Sequence, residues 1–239
     1  MPAAPDQLRH RDRLRERFRR GGAKALADYE LLELLLTFAI PRRDVKPLAK
    51  ALLARFGSVG AVLDADERAL CAVTGIGPRA ALLVRLQKEL VAAYLAGRAF
   101  PEQRLDSMPA LVDYARARLG GLAHEALLTV FVSNTGEVRG CEVLQEGSAD
   151  YAVVYPRQLA AAALDRRANA LVLLHLHPSG DCAPSPEDLR LTQALAQALA
   201  PLDIGLSDHL IVSPRDCFSF AAHGLLPPLA ARAALPRGA

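Results

Sequence analysis

Apolar positions recur with one period before about residue 100 and with another after it. In residues 25–38 they return every three or four positions, as on a helix, and Pro41 ends the pattern. Asp44 is placed to cap a second helix whose inner face is Val45, Leu48, Leu52 and Leu53. Ser58 and Asp66 look like the caps of two further short helices. Residues 79–96 carry Leu82, Leu83, Leu86, Leu90 and Val91 as one apolar stripe with charges opposite. Residues 97–104 are polar and contain Pro101, which predicts a linker.

After the linker, residues 126–132 and 138–144 are rich in Val and Leu, with Asn134-Thr135-Gly136 as a turn between them. Residues 156–164 suit a helix, and 170–176 form a short continuous apolar run, as in a buried strand. Residues 186–199 read as another helix, and 206–212 and 217–220 as strands. No internal repeat is visible. The expected fold class is α+β or α/β: a small N-terminal helical domain (1–97), a linker (98–107), a mixed-sheet α/β domain (108–225) and a loose tail (226–239).

Composition narrows the function classes. The chain has 239 residues, 51% of them hydrophobic and 23% charged, which is too apolar for intrinsic disorder. No apolar run reaches the ~18 residues of a membrane span, because Glu33 interrupts the best candidate. The arginine-rich start lacks the apolar segment of a secretory signal. The four cysteines are widely spaced with no Cys-x-x-Cys pair, so reduced thiols in a cytoplasm are expected.

The formal charge is only +3, but residues 1–20 alone carry +4, from seven arginines and three acidic residues. That segment is either a solvated helix or a phosphate-attracting arm. A second feature could also meet phosphate. In Thr74-Gly75-Ile76-Gly77-Pro78-Arg79, two glycines flank an apolar anchor at a helix start. Backbone N–H groups and the helix dipole favour an anion there, and Arg79 could add a charged contact. The segment resembles the helix-hairpin-helix motif of nucleic-acid-binding proteins. The alternative is an ordinary helix–helix turn or a protein-contact scaffold.

The most informative stretch runs from His175 to Asp188. His175 and His177 are two apart at the end of an apolar strand, so both imidazoles point to one face. Ser185 followed by Pro186 is a strong helix start, which puts Asp188 in the first turn. Two histidines and a carboxylate make a common divalent-metal set that leaves one position open for water. Ser185 and Asp188 also spell a capping box, which by itself explains both residues. The full spacing His-x-His-x7-Ser-x2-Asp should arise by chance in on the order of one chain in a thousand, which favours metal. Cys182 lies nearby as a bystander, and Asp208-His209 reads as support for the site or as core hydrogen bonding.

This spacing is similar to the metal signature of JAMM/MPN metalloproteases, and the wider sequence resembles the bacterial RadC family. The likeness rests on Arg13-Leu14-Arg15-Glu16, Asp28-Tyr29-Glu30-Leu31-Leu32, Phe56-Gly57-Ser58, Gly75-Ile76-Gly77, Pro156-Arg157, His177-Pro178-Ser179-Gly180-Asp181, Pro184-Ser185, Thr192 and Asp208-His209. It spans about residues 9–224. The family usually has Asn between its two histidines; here that position is Leu176, which on a strand faces away from the metal. The resemblance implies a JAMM/MPN-like metal-binding domain and points to Glu125 as general base, ahead of Glu142 and Glu146. From the residues alone, Glu125 could be a surface charge.

Two functions are therefore expected in competition. In the first, His175, His177 and Asp188 hold Zn²⁺, Glu125 moves the water proton, and Ser185 donates to the developing oxyanion during hydrolysis of a peptide or amide-type bond in an unidentified peptide or protein substrate. In the second, the chain is a DNA-binding or DNA-repair-associated protein. It contacts DNA weakly and without sequence preference through Gly75, Gly77, Arg79 and the arginine-rich arm, and its metal is structural or vestigial. A metal-dependent nuclease is a third class, less suited to a single three-ligand site.

Overall fold

The computed structural model describes residues 5–122, 124–146 and 155–226. The chain divides into two compact units, one ending at Val91 and one beginning at Ala92. The first contains α1 (Pro5–Gly21), α2 (Asp28–Ala39), α3 (Lys46–Phe56), α4 (Val59–Asp64) and α5 (Glu67–Cys71), and α6 (Pro78–Ala99) leads into the second. Leu36, Ala49, Leu52, Val62, Leu70, Ala81 and Val84 form its buried core.

Local chemistry explains most of these helix ends. Ser58 Oγ accepts from Ala61 N at 3.1 Å and Asp66 Oδ1 accepts from Ala69 N at 2.7 Å, as predicted; each such cap stabilises by about 1 kcal/mol. Asp44 accepts from Lys46 N at 3.0 Å, but Val45 takes the cap position because the helix begins at Lys46. The expected inner stripe of residues 79–96 is turned outward. Leu82, Leu86, Leu90 and Val91 are exposed, while Ala80, Ala81 and Val84 are buried. Ile76, buried two residues before α6 begins, anchors the turn and brings the small-residue face of the helix inward.

Two of the N-terminal arginines are structural. Arg11 is buried and donates to the carbonyls of Ile40 at 3.3 Å, Pro41 and Arg43. It thereby satisfies acceptors just past the end of α2, where helical carbonyls lose their partners. Arg17 makes a two-pronged contact with Glu30, at 2.7 and 2.8 Å, and donates to Ala25 O at 2.6 Å. Glu30 also accepts from Ala27 N at 3.0 Å and so closes the start of α2. Leu14, Leu26 and Leu34 pack beneath this clamp.

The second unit is a five-stranded mixed sheet with helices on both faces. It contains α7 (Met108–Leu119), β1 (Ala126–Val132), β2 (Val138–Glu146), α8 (Pro156–Asp165), β3 (Ala170–Leu176), α9 (Pro186–Leu199), β4 (Gly205–Val212) and β5 (Cys217–Ser219). The strand order is β2-β1-β3-β4-β5, with only β3 and β4 parallel. Helix α9 is the crossover that parallel neighbours require. Leu127, Phe131, Leu171 and Leu173 pack on one face with Leu159 of α8 and Leu195 and Leu199 of α9. Leu128, Val130, Val172 and Leu174 pack on the other with Leu111 and Leu119 of α7. Helix α7 went unpredicted, although Ser107 caps it by accepting from Ala110 N at 3.3 Å and Pro109 sits in its first turn.

The expected linker, 98–107, holds the end of α6, a short helical turn at Pro101–Gln103, and a docking contact. Arg104 donates to Thr135 O at 2.6 Å and Leu105 N donates to Gly136 O at 3.2 Å. Leu226 is buried, and the rest of the expected tail, 227–239, lies outside the described residues. The four cysteines are free, and burial pushes the Cys141 thiol up to about 11. Among the described residues no helix is long and apolar enough to cross a membrane.

The Arg17–Glu30 clamp gives the first testable outcome. Arg17 holds the Glu30 carboxyl below the usual carboxylate range, against the opposing effect of burial. A depressed folded-state value contributes stability that is fully present above the ordinary value near 4.3 and is lost as the pH falls through the folded one. Arg17→Met should therefore lower the melting temperature near neutral pH, and its gap from the parent should shrink below about pH 4. Thermal melts across that range check it; a gap independent of pH would remove the clamp from the account.

Candidate metal centre

β3 ends where the chemistry begins. His175 lies on the strand face that carries Leu171 and Leu173, toward α9, and His177 follows one step past the strand. The ladder continues that far, because His177 N donates to Val212 O at 2.9 Å. The two rings meet edge to face with centroids 4.8 Å apart. Leu176 between them packs into the opposite core with Leu174 and Val212, as expected.

Asp188 arrives from the other side. Ser185 caps α9 by accepting from Asp188 N at 3.1 Å, and Asp188 Oδ2 accepts from Ser185 N at 2.8 Å and Ser185 Oγ at 2.7 Å. The capping box is real and occupies one carboxylate oxygen. The other oxygen, Oδ1, lies 2.8 Å from His175 Nδ1, and Oδ2 lies 3.6 Å from His177 Nε2. Both histidines and Asp188 are buried.

Glu125 completes the convergence through strand register. Ala126 pairs with Leu176, so one step outward the antiparallel pairing sets Glu125 beside His177. Its carboxylate lies 3.3 Å from His175 Nε2 and 4.0 Å from His177 Nε2. The side chain is 41% exposed, unlike the buried Asp188, so it can reach both solvent and the site. Glu142 is elsewhere, paired with Arg166 at 2.5 Å, and the side chain of Glu146 lies outside the described residues.

Hydrogen bonding fixes the ring chemistry of His177. Its Nδ1 lies 3.0 Å from Asp181 O, and a carbonyl only accepts, so Nδ1 carries a proton and Nε2 is the nitrogen turned to the carboxylates. Contact with Asp188 raises the affinity of His177 for a second proton, against burial. For Asp188, burial alone would push the carboxyl up. Contacts with His175, His177 and Ser185 outweigh it and hold the group well below the carboxylate range.

Both nitrogens of His175 are buried without a well-formed hydrogen bond, although Asp188 Oδ1 lies 2.8 Å from Nδ1 and Glu125 Oε2 lies 3.3 Å from Nε2. A polar atom left so costs roughly 1–3 kcal/mol. Two carboxylates and two imidazoles facing one another concentrate lone pairs that a divalent cation would satisfy, so the donor set fits a metal. Among the described residues, two groups have ligand atoms within 4.8 Å of one another: Glu125 with His175 and His177, and His175 with Asp188 and His209. The expected ligands His175, His177 and Asp188 do not make up either group by themselves: His175 belongs to both, and Asp188 meets His175 through Oδ1 and His177 through Oδ2. Cys182 belongs to neither.

His209, which the sequence reads as support for the site or as core hydrogen bonding, lies beside this centre. It is fully buried on β4, stacks on Phe220 at 4.7 Å, and lies parallel to His175 at 6.0 Å. Burial, aided by His175, pushes it down to about 3, so it is neutral. Its neighbour Asp208 accepts from His209 N, Ala221 N and Ser219 Oγ, which ties β4 to the segment after it.

The glycine turn of the first unit has the expected form. Gly75 adopts φ +96°, and a Cβ there would lie 2.8 Å from Leu48 and 3.3 Å from the Arg43 guanidinium. Arg79 is exposed. These residues belong to the helical unit and take no part in the metal centre.

Comparison with known families agrees with both halves. The family described as RadC-like JAB domain matches residues 105–225, and the one described as UPF0758 N-terminal matches residues 6–82. The first match includes the sheet, α7–α9 and every residue of the centre, and it covers half of the chain. The chain therefore belongs to the RadC family, with a helical N-terminal region followed by a JAB domain.

Proposed function

We propose that the chain is a zinc-dependent hydrolase acting on a peptide or amide-type bond. The observation that carries this reading is the meeting of Glu125 with His175 and His177, beside an Asp188 kept ionised. Bound zinc supplies a Lewis acid and a water of lowered pKa. His175, His177 and Asp188 would hold it. Each is fixed beforehand, by the β3 ladder, the Asp181 carbonyl and the α9 cap, respectively.

Glu125 is the proton carrier in this reading. It accepts the water proton at a carboxylate oxygen and returns it to the leaving amine. Its partial exposure allows substrate to enter from the same side. Ser185 has its hydroxyl proton on Asp188 Oδ2, so its first task is to orient the ligand. A role as oxyanion donor requires the hydroxyl to turn toward substrate, which loosens its hold on Asp188. The substrate would be an unidentified peptide or protein, and the setting a cytoplasm.

Replacement of His175 or Asp188 by Ala should abolish a one-per-chain zinc content, measured by atomic emission, while circular dichroism stays near the parent. Full occupancy in both variants removes the ligand assignment. Glu125→Gln should keep the zinc and lower turnover by at least the ~100-fold expected on losing a general base. The comparison is run on the peptide or isopeptide that a library screen finds cleaved. Retained zinc with parental turnover would place the base elsewhere.

A second reading concerns the helical unit and is favoured by the Gly75 turn with Arg43 beside it. In this reading it binds DNA weakly, through Gly75, Gly77, Arg79 and the remaining N-terminal arginines. Affinity should fall steeply between low and physiological salt, because each phosphate contact releases counterions. Gly77→Asp and an Arg9→Ala/Arg13→Ala double variant should each weaken binding to a labelled duplex. The double variant spares Arg11 and Arg17, which hold the unit together. Affinity unchanged by either lesion sinks this reading.

A further inference from the structure

Asp188 must be held at a fixed distance from a strand to which it is not covalently close. The stretch between His177 and Ser185 is a loop with mostly exposed or half-buried residues and Gly180 at φ +92°. Its own hydrogen bonds, Gly180 N to His177 O at 3.3 Å and Ala183 N to Asp181 Oδ1 at 2.8 Å, stay within the loop and do not reach Asp188. A second link exists, through β4.

Thr192 sits one turn after Asp188 on α9 and is 1% exposed. Its Oγ1 lies 2.6 Å from Asp188 O and 2.7 Å from His209 Nδ1. The hydroxyl has one proton, and the carbonyl has none, so Thr192 donates to Asp188 O. At the other contact Thr192 accepts, and His209 Nδ1 carries the donated proton. The result is a directed chain from the β4 imidazole through a hydroxyl to the backbone of the Asp188 turn.

The anchor of this chain is rigid. His209 lies opposite Leu173 in the β3–β4 ladder, two pairs before the His175–Ile211 pair. Phe220 stacks on its ring at 4.7 Å and fixes the ring plane. The histidine strand, β4 and the Asp188 turn are therefore linked without the loop. His209 Nε2 is buried with no partner, a cost that an apolar side chain there would not carry. Packing alone does not call for histidine at this position.

We propose that His209 and Thr192 are positioning residues of the metal centre: the His209 Nδ1–H to Thr192 to Asp188 carbonyl chain sets the Asp188 carboxylate against His175. Neither residue is among the ligands His175, His177 and Asp188 assigned above. This rests on the metal reading of the site.

The test is zinc affinity, by competition with a chromophoric chelator, on four single variants of the full chain and one double. His209→Leu and Thr192→Val remove the chain; His209→Asn and Thr192→Ser keep a donor and a hydroxyl in place. Removal should weaken zinc by about 10–100-fold, the usual effect of losing a group behind a ligand. The two conservative variants should stay within a few-fold of the parent. The His209→Leu/Thr192→Val double should be no weaker than the worse single, because both cut one chain. The visible spectrum of the cobalt-loaded protein should shift in His209→Leu and Thr192→Val and return in His209→Asn and Thr192→Ser.

Zinc affinity and cobalt spectrum unchanged in His209→Leu and Thr192→Val overturn the proposal. So does a loss that the conservative variants fail to rescue, since that marks packing alone. If His209→Leu does not fold, the Thr192 pair decides by itself. A parent protein that binds no zinc defeats the metal reading and this inference together; a parent that binds it while Thr192→Val equals the parent defeats this inference alone.

Discussion

The carboxylate of Asp188 is the point on which the site depends, because its two oxygens serve different structures. Oδ2 accepts from the backbone and hydroxyl of Ser185 and closes the start of α9. Oδ1 turns to His175. A capping carboxylate and a metal ligand need the same properties: ionised, fixed, and near a helix N-terminus where negative charge is stabilised. The helix end therefore prepares the ligand before any cation arrives. The capping box and the ligand set are two uses of one group, and the sequence pattern that seemed to separate them cannot.

The sheet measures out the rest. Hydrogen-bonded neighbours stand a little under 5 Å apart, so register alone decides which side chains meet. The β1–β3 pairing puts Glu125 beside His177, although 52 positions separate them in the chain. The parallel β3–β4 pairing brings His209 next to the same face. Both strands flanking β3 are buried along their whole length, which makes a slip costly. The site is as precise as its ladders, and the loops contribute less.

Legibility followed the range of the interaction. The Ser185 cap, the His175–His177 parity and the continuous apolar strands are local, so sequence alone places them. The chemistry of Glu125 needed strand register, which no local signal carries; only the family resemblance pointed there. His209 was visible as a residue, but its Thr192 partner lies on another element and the direction of the proton cannot be read from spacing. The stripe on α6 misled for a different reason. Two apolar faces were available, and period 3.6 does not say which one a core accepts. Composition misled in the same way at the N-terminus. Arg11 and Arg17 count toward the charge of that segment, yet both guanidiniums are engaged within the fold.

Leu176 shows how far the two faces of one strand are independent. It stands between two imidazoles in sequence and packs with Leu174 and Val212 in space, on the side that faces α7. A polar residue there would have to find its partner in that apolar layer, so leucine suits the packing of this chain. The neighbouring positions meet the opposite demand. His175 and His177 are buried among carboxylates, where an apolar side chain would leave Asp188 and Glu125 facing each other with nothing between them. Alternation on β3 thus separates a core from a reactive face within three residues, and the departure from the family pattern falls on the core side.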